Sequence, residues 1–536
     1  MKRRIISILS VLLIFLFASV ALSQDVREGL DDKENRASSE LEVLSSNKVE
    51  VIEPRVVKAV PVLRSAQEEM ILEDLKQARL AGDRAAARTL QLELDELHGI
   101  LPNTPRPADD EQEEVIFEEP SQGPDFEWVD GDIRINDSSY DVVKPAMASA
   151  PNGDLYVAME DRGTYVIRVY KSTDNGNTWS SFLTLYTGDE RHNPSIAVTA
   201  DYVHVAYEVY DSSNEDRGIR VYSKPTDGSS GHGAWVVENI STNTSFIYPE
   251  ICTDYLEYPY DPYVYVTYAT GAIDYYPVFF SRSIDNGVSF STPQEVTGGS
   301  ENTSFATKPD IAFGTNSNAL FIAFVKPGWD GATWDNEVWV TKSTNSGTSW
   351  DTPLQLSDWS NDSYHPRISA AHERDSVVVA YTHEFSSTDD DVYFYYSTDA
   401  GSTWNGPNGL ANTGEVERSA ALSVSNYQGR FHAAYYMNHD IYYRSSDTAT
   451  PTSWSSAQRI NESNYASGEY PRPTVSANPT MPAADEAAIA WSDYRTTWYD
   501  IYFDSASLTL PSSNLGVDFD GDAMTDIAVY RWTSGM

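Results

Sequence analysis

Ser172-Thr173-Asp174-Asn175-Gly176-Asn177-Thr178-Trp179 is the stretch that decides the fold, because its pattern returns three more times along the chain. The other copies are Ser283-Ile284-Asp285-Asn286-Gly287-Val288-Ser289-Phe290, Ser343-Thr344-Asn345-Ser346-Gly347-Thr348-Ser349-Trp350 and Ser397-Thr398-Asp399-Ala400-Gly401-Ser402-Thr403-Trp404, with looser versions at 445–454 and 223–235. Chemistry makes each of them a turn. The carboxylate or amide accepts backbone N–H bonds across the loop, glycine takes a positive φ, and the aromatic packs beneath.

Working outward from these turns, the same three apolar segments precede each one, at a period of about 50 to 60 residues, which is a repeat architecture. The first segment of each unit follows a proline at Pro145, Pro194, Pro249, Pro309, Pro366 and Pro473, with Ala420 in the equivalent place of the sixth unit. Second segments such as 155–159, 203–207, 264–268 and 320–324 are almost continuously apolar, as strands buried on both faces are. Seven units of this kind predict an all-β fold, a seven-bladed β-propeller. The last unit has no outer strand of its own, so residues 131–136 are expected to supply it and close the ring, which removes the exposed sheet edges of an open array.

The repeated turn resembles the Asp-box, or bacterial neuraminidase repeat, of sialidase-like β-propellers, over roughly residues 128–510. The resemblance implies a structural turn on the face away from the ligand, so the turn Asp residues are not catalytic candidates. It also leads one to look for a Phe/Tyr-Arg-Ile-Pro motif at the first blade, part of an arginine triad that grips a substrate carboxylate. Here the chain reads Val142-Val143-Lys144-Pro145, and that arginine is absent. Seven units also depart from the six usual in sialidases.

Composition sets the wider limits. Among 536 residues, 80 Asp and Glu stand against 37 Lys and Arg, a formal charge of -43, which excludes a nucleic-acid binder by charge. The single cysteine, Cys252, allows neither an internal disulfide nor a paired thiolate metal site. A basic start at Lys2-Arg3-Arg4, an apolar run from Ile5 to Leu22 and a small-residue exit read as a secretory signal peptide over 1–23, with no membrane span after its cleavage. Residues 24–127 read as an acidic linker carrying a helix at about 65–100, which opens on the capping box Ser65-Ala66-Gln67-Glu68. The mature chain is expected to be secreted or at the cell surface.

The face opposite the turns is the expected ligand face. Its 2–3 hairpins and inter-blade loops carry Arg162, Trp329, Trp334, His365, Arg418, Arg472, Tyr494 and Arg495 as candidate ligand-binding residues, with His192, Tyr248 and Lys308 nearby. Aromatic faces stack on sugar C–H edges while polar groups fix hydroxyls, so the expected partner is a glycan or an extracellular protein. Glu160, Asp161, Glu208 and Glu384 are the candidate catalytic carboxylates of an alternative reading as an extracellular glycoside hydrolase, which needs two carboxyl groups about 5 to 10 Å apart. Finally, Asp518, Asp520, Asp522 and Asp526 place oxygen ligands along a tight loop, as calcium requires. This segment, 511–536, resembles the start of an FG-GAP or VCBS-type repeat, implying structural calcium and a chain that stops at Met536 in mid-repeat.

Overall fold

The computed structural model describes Arg55–Lys58 and residues 126–508 apart from short loop segments. All of these lie in the second of the chain's two compact units, Pro54–Met536. The expected signal peptide, the expected helix at about 65–100 and the acidic stretch at 518–526 lie outside the described residues. Within them every element is a strand, and no helix is long and apolar enough to cross a membrane.

Seven antiparallel sheets follow one another along the chain. Blade 1 is typical: Val142–Ser149, Leu155–Asp161, Val166–Ser172 and Ser180–Leu185, each paired with the next. Blades 2 to 6 repeat this order, beginning at Glu190, Glu250, Asp310, Ser363 and Glu417. Arg55–Lys58 adds a fifth strand to the outer edge of blade 5, in register with Thr403–Gly406. This strand lies within 24–127, the stretch read from sequence as an acidic linker carrying a helix.

Blade 7 has Thr474–Ala477, Ala487–Asp493 and Asp500–Leu508 from the end of the domain, and its outer edge comes from the beginning. Ile133–Arg134 pairs with Tyr502 and Phe503, and Phe126–Trp128 pairs with Ala506–Leu508. The expected closing strand is present, and it starts earlier than 131. Asn136 clamps the junction: its amide donates to Asp500 Oδ1 at 2.8 Å and accepts from Ile501 N at 2.7 Å.

The two-sided burial of the second strands now has its reason. In Leu155–Asp161 every residue is buried, yet Tyr156 and Ala158 pack toward blade 2, while Leu155, Val157 and Met159 pack toward blade 7. Alternate side chains point to opposite faces, so each strand feeds two inter-blade cores. Seven such cores fill the seven interfaces, the last being the one where Met159 and Val157 meet Ile501 and Phe503 across the closure.

The four glycine turns fasten neighbouring blades. Asp174 Oδ1 accepts from Thr178 N at 2.8 Å and Oδ2 from Thr178 Oγ1 at 2.6 Å, and Asp399 repeats both bonds with Thr403. Positive φ occurs at two successive residues, Asn175 and Gly176, and again at Ser346 and Gly347, a mirror-image turn that glycine alone does not explain. Glycine is demanded a second time by packing. A Cβ on Gly176 would sit 1.9 Å from Phe503, and one on Gly347 2.0 Å from Phe280, aromatic rings of the preceding blade. The turn aromatics complete the seam: Trp179 meets Phe503 edge-on at 5.1 Å and Trp350 meets Phe280 at 5.0 Å.

Candidate functional site at the axial mouth

On the face opposite the glycine turns, the first strand of each blade enters the ring at its proline. In blades 1, 2, 5 and 6 the register slips there by one residue: Val143 pairs with Glu160 but Ala146 with Ala158, and the same step recurs at His192/Ser195, Tyr364/Arg367 and Arg418/Ala421. Each slip is a β-bulge, a device that re-aims a side chain. The bulged residues Lys144, Asn193, His365 and Ser419 all have φ between 51 and 57, a conformation non-glycine residues adopt at a cost.

Buried carboxylates hold two of these bulges in place. Glu160 accepts from Asn193 N at 3.0 Å and from Lys144 Nζ at 3.0 Å, while Lys144 also donates to Asn193 Oδ1 at 2.7 Å. Asn193 Nδ2 donates to Glu208 Oε2 at 2.9 Å, and Glu208 is further bound by Ile247 N and Arg217. His192 Nδ1 lies 3.3 Å from Glu160 Oε1. Burial raises the Glu160 carboxyl, but the His192 bond, Lys144 and the Asn193 N–H outweigh it and bring it down to about 2. Glu208 goes the other way, raised by burial against the opposing pull of Arg217.

The residues preceding the six blade prolines and Ala420 sit on the ring of inner strands: Lys144, Asn193, Tyr248, Lys308, His365, Ser419 and Arg472. An axial cavity of about 210 Å³ opens among them, lined by Lys144, Asn193, Tyr248 and Arg472 and, one layer down, by Glu250, Asp310 and Arg367. In that lower layer Arg367 Nη1 lies 2.7 Å from Glu250 Oε1 and 3.7 Å from Asp310 Oδ1. Burial pushes the Asp310 carboxyl up to about 7 against the opposing charge of Arg367.

Among the described residues, Lys308 has no carboxylate at ion-pair distance, unlike Lys144. Its Nζ lies 3.2 Å from His365 Nε2 and 4.5 Å from the Tyr248 ring centroid. Burial, followed by the charges of Arg472, Arg367 and Lys144, pushes its amine down to about 6, with Glu250 opposing. Burial and then Lys308, Arg472 and Arg367 hold the His365 imidazole well below its ordinary value. The mouth therefore gathers the basic side chains Lys144, Arg367 and Arg472, the first two paired with Glu160 and Glu250, in a strongly acidic chain.

Beside it lies an aromatic ledge. Tyr140, Tyr165, Tyr494 and Trp498 are among the few large hydrophobic side chains left exposed, at 45%, 47%, 45% and 43%. Tyr140 packs on Gly163 and approaches Trp498 at 6.4 Å, Tyr494 meets Tyr499 at 4.9 Å, and Tyr165 meets His192 edge-on at 6.1 Å. Asp141 ties the two hairpins together, its carbonyl accepting from Arg162 N and its carboxylate from Tyr499 N.

The residues singled out from sequence fall into distinct places. Arg472 and His365 are in the ring, and Arg162 stands 3.7 Å from Glu160 beside it. Arg418 pairs with Asp390 at 3.1 Å. Tyr494 is on the ledge, whereas Arg495 is spent on closure, bridging Asp493 and Asp132 and covering the Tyr502 ring at 3.9 Å. Trp329 and Trp334 face each other across the end of a blade 4 hairpin, and their side chains are outside the described residues. Glu160 and Glu208 meet through Asn193. Asp161, fully buried, accepts from Gly163 N and Thr164 N and pairs with Arg168, and half-buried Glu384 lies opposite Asp390. Lys144, Asn193, Arg367, Glu250 and Asp310 were not among the candidates. Their signal was present in the residues flanking the repeated proline, read down the seven units.

No family model and no curated protein matches the chain. Solved structures do. An ulvan lyase of a new polysaccharide lyase family aligns over 70% of this chain and 95% of its own, at 12% identity and a TM-score of 0.45. A Hadza microbial sialidase aligns over 67% and 75%, at 12% identity and a TM-score of 0.40. An endo-arabinase from Bacteroides thetaiotaomicron aligns over 49% and 95%, at 14% identity and a TM-score of 0.30.

Proposed function

We propose that this protein is a secreted or cell-surface glycan-binding propeller whose axial mouth receives the carboxylate or sulfate groups of an acidic polysaccharide. The single observation that carries the reading is the convergence of Lys144, Arg367 and Arg472 on one axial cavity in a chain of charge -43. A low-dielectric cleft lined by one sign of charge focuses its field on ligands of the opposite sign. The ledge of Tyr140, Tyr165, Tyr494 and Trp498 offers ring faces for the sugars that follow the bound anion. Propellers of similar fold include glycan-acting proteins by their own descriptions, which agrees with a glycan partner without specifying one. In this reading Glu160 and Glu208 are positioning residues, because their oxygens are occupied in holding Asn193 and Lys144. The loop at 511–536 would hold calcium as a separate repeat.

The test is calorimetric titration of the full chain with polyuronate and sulfated polysaccharides against neutral glucans. Binding of the acidic polymers, weakened about tenfold by Arg472→Ala, the equivalent of roughly 1.4 kcal/mol, is the expected result. Equal binding of neutral and acidic polymers would refute the mouth as an anion receptor. Released saccharide products would instead favour the hydrolase reading.

A further inference from the structure

Anion binding leaves one feature of the mouth unused. Arg472, Arg367 and Lys144 suffice as fixed cations, yet a fourth basic group, Lys308, stands near them with no carboxylate at ion-pair distance among the described residues and an imidazole as its hydrogen-bond partner. A lysine kept only for its charge gains from a carboxylate neighbour, as Lys144 does from Glu160. A lysine desolvated and crowded by other cations is the arrangement that makes an amine a nucleophile.

We propose that Lys308 is a nucleophilic amine that condenses with the carbonyl carbon of an anionic aldehyde or ketone, such as an open-chain acidic sugar, whose anionic group lies against Arg472. The half-buried side chain is held by its bulged neighbour: His365, at its positive φ, sets Nε2 3.2 Å from Nζ. Tyr248, at 4.5 Å, limits the amine on another side. The chemistry balances without a further reagent. The nitrogen lone pair forms the C–N bond as the carbonyl π bond breaks, and a proton from nitrogen passes to the new oxygen, directly or through His365 Nε2. The hydroxyl then takes up the second nitrogen proton, again directly or through His365 Nε2, and leaves as water while the nitrogen lone pair forms the C=N bond of the imine.

The groups that set the amine's titration are Tyr248 and Glu250 of blade 3, His365 and Arg367 of blade 5, Arg472 of blade 7 and Lys144 of blade 1. Of these Glu250, which Arg367 already occupies at 2.7 Å, and the Tyr248 ring favour the ammonium form, against burial and the three cations. The free amine is therefore the dominant form at neutral pH.

The inference rests on the anion-receptor reading for how a ligand is held, and not for the amine's reactivity. The full chain is incubated with glyoxylate, which carries both a carboxylate and an aldehyde, or with formaldehyde, which carries no charge. Cyanoborohydride traps the imine, and peptide mass mapping locates the adducts. Lys308 is expected to be labelled by glyoxylate at least about tenfold faster at pH 7 than Lys171, Lys326 or Lys342. Its rate should stay nearly flat from pH 7 to 9, whereas ordinary lysines rise about tenfold per pH unit as free amine appears. Lys308→Arg should abolish the dominant adduct. Preferential labelling of Lys308 by both aldehydes at the same rate would uphold the amine and sink the anion receptor. Labelling of Lys308 no faster than the other lysines, with a rate rising as theirs does, would overturn the proposal, and that result needs no variant to fold.

Discussion

At the scale of single residues, two positions carry opposite kinds of constraint. Gly347 is required by both backbone and space, with φ at 80° and Phe280 where a Cβ would go. Gly347→Ala should cost about 3 kcal/mol, read as a lower urea midpoint at unchanged slope. Gly228 has a similar φ of 86° with nothing within 4 Å, so Gly228→Ala should cost only the backbone share, about 1 kcal/mol. If the two variants melt alike, packing against the preceding blade is not what the turn glycine serves. Glu160 is constrained by charge. Its carboxyl is drawn down to about 2, so its contribution is complete above the unfolded value near 4.5 and is lost as pH falls toward 2. The acid limb of stability between pH 5 and 2 should be steeper for the wild type than for Glu160→Gln. Parallel limbs in urea titrations at each pH would show that the carboxylate is not held by Lys144, His192 and Asn193.

At the scale of elements, the closing segment matters most, because a propeller without it exposes the outer edge of blade 7 and opens the interface with blade 1. Deleting 124–137 removes Phe126–Trp128, Ile133–Arg134 and the Asn136 clamp together, and should lower the melting temperature by more than about 10 °C. Asn136→Ala isolates the clamp. It leaves Ile501 N buried without its acceptor and takes one donor from Asp500, a loss of roughly 2 kcal/mol. An unchanged melting curve for the deletion would mean that blade 7 is stable as three strands. The proline bulges belong to this scale too. In blades 1, 2, 5 and 6 they turn one residue toward the axis, something a regular first strand, with side chains facing the two adjacent blades, does not do.

At the scale of the molecule, charge acts in two directions. A net charge of -43 repels itself in any compact state, so raising ionic strength from about 10 mM to about 200 mM should raise the melting temperature. The same salt should weaken binding of an acidic polymer at the mouth, because the attraction there is between opposite charges. Opposite signs for the two effects in one buffer series are the expected outcome. A melting temperature that falls with salt would place the stabilising ion pairs above the global repulsion.

The sequence by itself determined the blade count, the glycine turns and the closing strand. Each is written in local chemistry: a proline before an apolar run, a period-two strand, an Asp or Asn two residues before a glycine. It also named Arg472 and His365 as face residues without saying that they share a ring. What only the tertiary structure decided is the mouth. Lys144 and Arg472 lie at opposite ends of the domain's sequence, and their meeting with Lys308 and Arg367 depends on the ring closing and on bulges that reverse the direction of single side chains. Local propensity can specify a turn, but a field built from the inner strands of separate blades exists only when their hydrophobic interfaces have drawn the blades around one axis.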